Sequence, residues 1–159
     1  MTKRQPLPEY LARRLRKDGY AALYVAGPDQ VVFTRPAQNR GSRPLKIGVT
    51  TAWADTITNN LDSSSPFYWQ GVLFRLWCSS VDKARMLESL VAGHLKDHSD
   101  PLRKSWADLG PDLDTKQFEN AIRKLGKEYN VATWTDAELV AKLKDLESKP
   151  ARIIKRMFA

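Results

Sequence analysis

The stretch Leu45-Lys46-Ile47-Gly48-Val49-Thr50, taken with Gly19-Tyr20-Ala21-Ala22-Leu23-Tyr24-Val25, decides how the chain is read. Both runs concentrate β-branched and aromatic residues, and each is bounded by Gly, Pro or Asp, where a pleated run must stop. The earlier run ends at Gly27-Pro28-Asp29, and the later one opens after Gly41-Ser42-Arg43-Pro44. Two short strands, the later one preceded by the polar, basic loop over 35–44, are the beginning of a small sheet. A tyrosine on one and Lys-Ile-Gly on its expected neighbour are the first residues with chemistry to offer.

Outward from these strands, Pro6-Leu7-Pro8-Glu9 marks a helix start, since proline suits a first turn and an acid there complements the helix dipole. Tyr10, Leu11 and Leu15 share one face of that helix, and Asp18-Gly19 ends it. Gln30-Val31-Val32-Phe33-Thr34 is another β-rich run, and Pro28-Asp29 predicts a hairpin between it and the Tyr24 strand. Residues 51–61 are expected to be helical, with Thr56, Ile57 and Thr58 weakening the propensity. Asp62-Ser63-Ser64-Ser65-Pro66 breaks the chain, and the later half of 67–78 alternates as a strand. Ser79-Ser80 caps a helix from Val81 to His94, in which Ala84, Leu87, Leu90, Val91 and Leu95 form one buried stripe and Glu88 lies beside it. Residues 97–114 read as a polar stretch with an isolated Trp106. Asp114-Thr115-Lys116-Gln117 opens a helix carrying Phe118, Ala121, Ile122 and Leu125. Thr135-Asp136-Ala137-Glu138 is a capping box for a last helix with Leu139, Val140, Leu143 and Leu146, which Lys149-Pro150 stops.

The expected fold is α+β: a small, mainly antiparallel sheet with strands near 20–26, 30–35, 45–50 and 71–78, flanked by helices, with a C-terminal helical extension. The expected division is a basic arm over 1–18, the α+β domain over 19–110, the extension over 111–148 and a basic tail over 149–159. With 159 residues, 42% of them aliphatic or aromatic, the chain is long enough for one domain with its own core. No apolar run approaches a membrane span, and no signal-peptide pattern follows the first charges, so no membrane partner and a cytoplasmic location are expected. The single cysteine, Cys78, agrees with a reducing compartment.

The net charge of +8 is carried by the ends. Residues 1–18 hold Lys3, Arg4, Arg13, Arg14, Arg16 and Lys17 against Glu9 and Asp18, and the tail holds Lys149, Arg152, Lys155 and Arg156 with no acid. Basic ends on a neutral body suit a polyanion, because neutralised phosphates release counterions. Arg13, Arg14, Lys155 and Arg156, with Arg40 and Arg43 of the loop, are the candidate nucleic-acid contacts; the other reading is solvated, solubilising charge. His94 and His98 stand four apart with no third metal ligand, and Trp69, Trp77 and Trp106 read as core before they read as base-stacking platforms.

The order and spacing of the Leu23-Tyr24-Val25 strand, Lys46-Ile47-Gly48, Glu88 and Trp106 resemble the GIY-YIG nuclease family, in the phage-type branch whose second motif is Lys-Ile-Gly. The resemblance covers roughly residues 19 to 109. It implies a three-stranded antiparallel sheet packed on helices and phosphodiester cleavage aided by a divalent cation. By similarity Tyr24 takes the position of the first-motif tyrosine that activates water, Lys46 that of the second-motif tyrosine, and Glu88 that of the metal-binding glutamate. A lysine beside Tyr24 is expected to lower the phenol's pKa. A single carboxylate suits Mg²⁺ or Mn²⁺ that keeps its waters, if the site is catalytic. The chain departs where the family has an arginine after the second motif, since Thr56 stands there. A substitute cation is then expected from Arg40, Arg43 or another chain. Three functions follow as expectations: an endonuclease with a degenerate site, acting on DNA ahead of RNA; a nucleic-acid-binding module without cleavage; and a protein-interaction domain that uses the helices of 114–148.

Overall fold

The computed structural model describes residues 6–27, 32–35, 40–42, 44–53, 71–96, 99–100, 103–108 and 114–146. In chain order these form α1 (Glu9–Asp18), β1 (Ala21–Gly27), β2 (Val32–Arg35), β3 (Arg40–Ser42), β4 (Pro44–Thr50), β5 (Gly71–Cys78), α2 (Val81–His94), β6 (Ser99–Asp100), β7 (Arg103–Asp108) and α3 (Thr115–Glu128). A last helix, α4, covers 136–146. The main sheet is antiparallel throughout, with strand order β5-β1-β4-β7-β6, and β2 and β3 form a separate ribbon.

The α+β expectation holds, with two corrections. β1 and β2 do not form a hairpin, because both edges of β1 are occupied by longer strands, β4 on one side and β5 on the other. All seven residues of β1 are buried, as befits an interior strand with a neighbour on each edge, and β2 pairs with β3 instead. The polar stretch after α2 also contributes strands, beyond the four expected. Residues 103–108 add to the outer edge of β4 with Lys46 opposite Trp106, and β6 follows them. Of the expected 51–61 helix, residues 51–53 are not helical and the remainder lies outside the described residues, as do the basic tail and Trp69.

The helix signals act as their chemistry requires. Gly19 closes α1 with φ 73°, a left-handed conformation that glycine adopts without strain. Ser80 caps α2 by accepting from the Lys83 N–H, and Asp114 caps α3 by accepting from the Gln117 N–H. Thr135 and Glu138 exchange hydrogen bonds at the start of α4.

Side chains of β1 alternate between two cores. Ala21, Leu23 and Val25 pack with Leu45, Leu76 and Cys78 against Ala84, Leu87 and Val91 of α2 and Ile122 of α3. Ala22 faces the other way and joins Trp77 beneath Leu11 and Leu15 of α1 and Leu139 and Leu143 of α4. The sheet therefore lies between two helical layers, and the C-terminal helices complete both. Between α3 and α4 the chain meets β5 directly: the Trp77 N–H donates to the Trp134 carbonyl at 2.7 Å, and the Trp134 N–H donates back at 2.9 Å. No helix among the described residues is long and apolar enough to cross a membrane.

Candidate active site

Tyr24 and Lys46 share the Ala22 face of the sheet. In the β1–β4 register Tyr24 stands opposite Gly48 and Ala26 opposite Lys46. Residues two apart on a strand share a face, so Tyr24, Gly48 and Lys46 belong to one surface, with Lys46 the diagonal neighbour of Tyr24. The glycine has a steric reason. A Cβ at Gly48 would lie 2.5 Å from the Tyr24 hydroxyl oxygen and 2.6 Å from Cζ, so the phenol ring occupies the place of that missing side chain. Folded down over β4, Tyr24 is only 8% exposed.

Glu88 belongs to α2, whose buried residues pack on the opposite core, but its charge reaches Tyr24. Burial first, and then the Glu88 carboxylate, push the Tyr24 phenol above its ordinary value. Burial likewise raises the Glu88 carboxyl, against the pull of Arg85. This direction is opposite to the lowered phenol expected from a neighbouring lysine: desolvation and then a carboxylate raise it. Glu88 is a partly buried carboxylate whose raised pKa comes from desolvation. Among the described residues no three His, Cys, Asp or Glu side chains converge to hold a metal. A divalent ion at Glu88 would thus take one protein carboxylate and complete its shell with water, a mode that suits Mg²⁺.

The remaining candidates are dispersed. Arg13 is exposed and 3.7 Å from Glu9, while Arg14 donates to Asp18 at 2.8 Å. Arg40 lies in β3, and Arg43, Lys155 and Arg156 fall outside the described residues, as do Thr56 and His98. His94 is exposed at the end of α2. Cys78 is buried, with its thiol pushed up to about 11 by desolvation, which leaves it unreactive.

Sequence reasoning missed Arg75. It stands directly opposite Tyr24 across the β1–β5 ladder, with its side chain fully buried. Its Nε donates to Asp136 Oδ1 at 2.8 Å, and Nη1 donates to the Ala52 carbonyl at 3.2 Å. The guanidinium carbon lies 4.6 Å from the Trp53 ring centre and 4.9 Å from that of Trp77, two indoles that stack on each other. Trp77 Nε1 donates to the same Asp136 oxygen at 2.7 Å. One signal was available: in Phe74-Arg75-Leu76-Trp77 the alternation puts Arg75 on the same face as a buried tryptophan. Its acid partner, 61 residues away, carried none.

These features define a class of site, a buried tyrosine seated on a glycine in an antiparallel sheet, with a lysine on its face and a glutamate within electrostatic reach. No protein-family model, curated protein or solved structure matches the chain.

Proposed function

We propose that the protein binds nucleic acid on a GIY-YIG-like scaffold and cleaves phosphodiester bonds at the Tyr24 face with the help of Mg²⁺ or Mn²⁺ at Glu88. The observation that carries this reading is the convergence of Tyr24, Gly48 and Lys46 on one surface, with Glu88 close enough to act on the phenol. These residues come from three separate segments, and each already has a part to play in phosphodiester chemistry. Lys46 offers a positive charge to a phosphate on the same face as Tyr24. The bound ion would supply charge neutralisation to the scissile phosphate. With the Glu88 charge balanced, burial alone would keep the Tyr24 phenol raised. Arg13, Arg14 and the basic tail would hold the backbone of the nucleic acid, DNA in preference to RNA, through contacts that weaken with salt.

A second reading is binding without cleavage. One observation favours it: the guanidinium that stands across from Tyr24 is fully buried and bound to Asp136. The apolar stripe of α4 offers less to the protein-interaction reading, since Leu139 and Leu143 are filled from within the chain.

Incubation of the wild type and Glu88→Ala with supercoiled plasmid, single-stranded DNA and RNA in Mg²⁺ or Mn²⁺ separates these readings on a gel. Nicking by the wild type alone is the expected result. Retarded bands without cleavage in both proteins would favour the binding module, and neither effect at low salt would refute both.

A further inference from the structure

Arg75 is the only buried charged residue among the described ones, and its contacts tie three segments together. These are the exit from β4 at Ala52 and Trp53, β5 itself, and Asp136 at the first position of α4. As a source of stability such a pair is weak, because apolar side chains of equal volume do as well or better once desolvation is counted. Its distinctive property is that it can be exchanged. The Arg75 side chain has no exposure, whereas Asp136 retains 31% and stands where solvent and solutes reach it. The element that carries Asp136 is the helix over 136–146. Beyond the ion pair, α4 is held by Leu139 and Leu143, by its capping box and by the Glu138–Arg123 pair at 2.9 Å.

From this geometry we infer that Asp136 and Arg75 form a latch, by which α4 conceals a guanidinium beside the Tyr24 face and surrenders it to a phosphate of bound nucleic acid. The inference rests on the functional reading above for its ligand. Carboxylate and phosphate present similar oxygen geometry to the planar donor fork of arginine, so one can replace the other without reshaping the donor. Arg75 is already across the ladder from Tyr24, and a side chain of its length turns toward that residue once α4 lifts. The closed state neutralises the cation, and the open state adds a phosphate contact to a face whose described cation is otherwise Lys46.

The test uses the full chain, a fluorescein-labelled thymidine oligonucleotide, and phenylglyoxal as a label for accessible arginine, read at the Arg75 peptide by mass spectrometry. Asp136→Asn keeps the side-chain shape but leaves a buried guanidinium without its counter-charge, which drives opening. It should label Arg75 several-fold faster than the wild type and bind the oligonucleotide roughly tenfold tighter. Its salt dependence should be steeper by about one phosphate contact. Asp136→Asn with Arg75→Met should return binding to the wild-type level. Thr135→Ala, which loosens the start of α4 without touching the ion pair, should fall between, and this variant decides the matter if Asp136→Asn fails to fold by circular dichroism. A binding gain that survives the loss of Arg75, or an Arg75 equally protected in folded wild type and variants, overturns the latch. If no protein binds nucleic acid, the functional reading fails separately; faster labelling in the variants alone then upholds the latch without that ligand.

Discussion

The two faces of the sheet are built from the same strands by different rules. Toward α2 and α3, every central contact is apolar: Leu23, Val25, Leu76 and Leu87 fill the layer, with no charged residue in the cluster. Toward α1 and α4, Ala22 and Trp77 are joined by a buried tyrosine and a buried arginine, and an indole N–H is bound to a carboxylate. The dry face depends on area and fit, which tolerate modest change. The other face depends on particular atoms meeting, so small changes there have specific consequences. Candidate chemistry is concentrated where the packing is least generic.

The largest expected effect tests the dry face. Leu23→Ala removes a fully buried side chain between two strands and a helix, and should lower stability by about 4 kcal/mol in urea unfolding. A loss below about 1 kcal/mol would show that this layer collapses around the gap and is looser than its burial implies. Next comes Asp136→Ala, which strands the Arg75 charge and should cost roughly 3 kcal/mol. Replacing both partners, with Arg75→Met and Asp136→Leu, should recover most of that loss. If the double variant is as unstable as the single one, the pair stabilises the fold in its own right and the contrast between the faces weakens.

Gly48→Ala is smaller in scale but sharper in meaning. The new methyl group meets the Tyr24 ring, and overpacking of this kind should cost about 2 kcal/mol. Adding Tyr24→Ala should remove the penalty, since nothing then fills that space. An additive double-mutant cycle would rule out the seating of the ring on the glycine.

The smallest effect is a pH dependence. Folding raises the Glu88 carboxyl above its unfolded value, so between those two values the folded state binds more protons. Stability therefore falls as pH rises through that window, the reverse of the usual carboxylate. Glu88→Gln should flatten this fall and also move the Tyr24 phenol downward, since it removes a charge that raises it. Spectrophotometric titration of the phenol and thermal melts across the acidic range check both; an unmoved phenol would separate Glu88 from the site.

Much of this was legible in the sequence because local rules agreed there. The β1 and β4 runs, the Ala84-Leu87-Val91 stripe and the caps at Ser80, Asp114 and Thr135 each declare themselves within a few residues. The shared face of Tyr24, Gly48 and Lys46 needed only antiparallel pairing of two recognised strands. The rest depended on distance or on weak patterning. β7 carries no strand pattern in its sequence, and β2 had a turn signal that pointed to the wrong partner. The raised Tyr24 phenol comes from the sum of burial and an acid on another element, neither of which periodicity reveals. Arg75 was visible as an oddity in a buried strand, but its meaning lay in Asp136.

The exchange of hydrogen bonds between Trp77 and Trp134 also sets an order of events for the chain as it is made. β5 can pair with β1 as soon as both have been synthesised, yet part of its far edge has no partner until Trp134 arrives. During that interval the strand bearing Trp77 and Arg75 has neither its bridge to Trp134 nor its ion pair with Asp136. Synthesis that pauses or stops before Asp136 leaves a nascent chain with a sticky, unsealed margin, a natural mark for chaperones and proteases. The segment from Trp134 onward therefore closes the margin of the sheet that β5 leaves open.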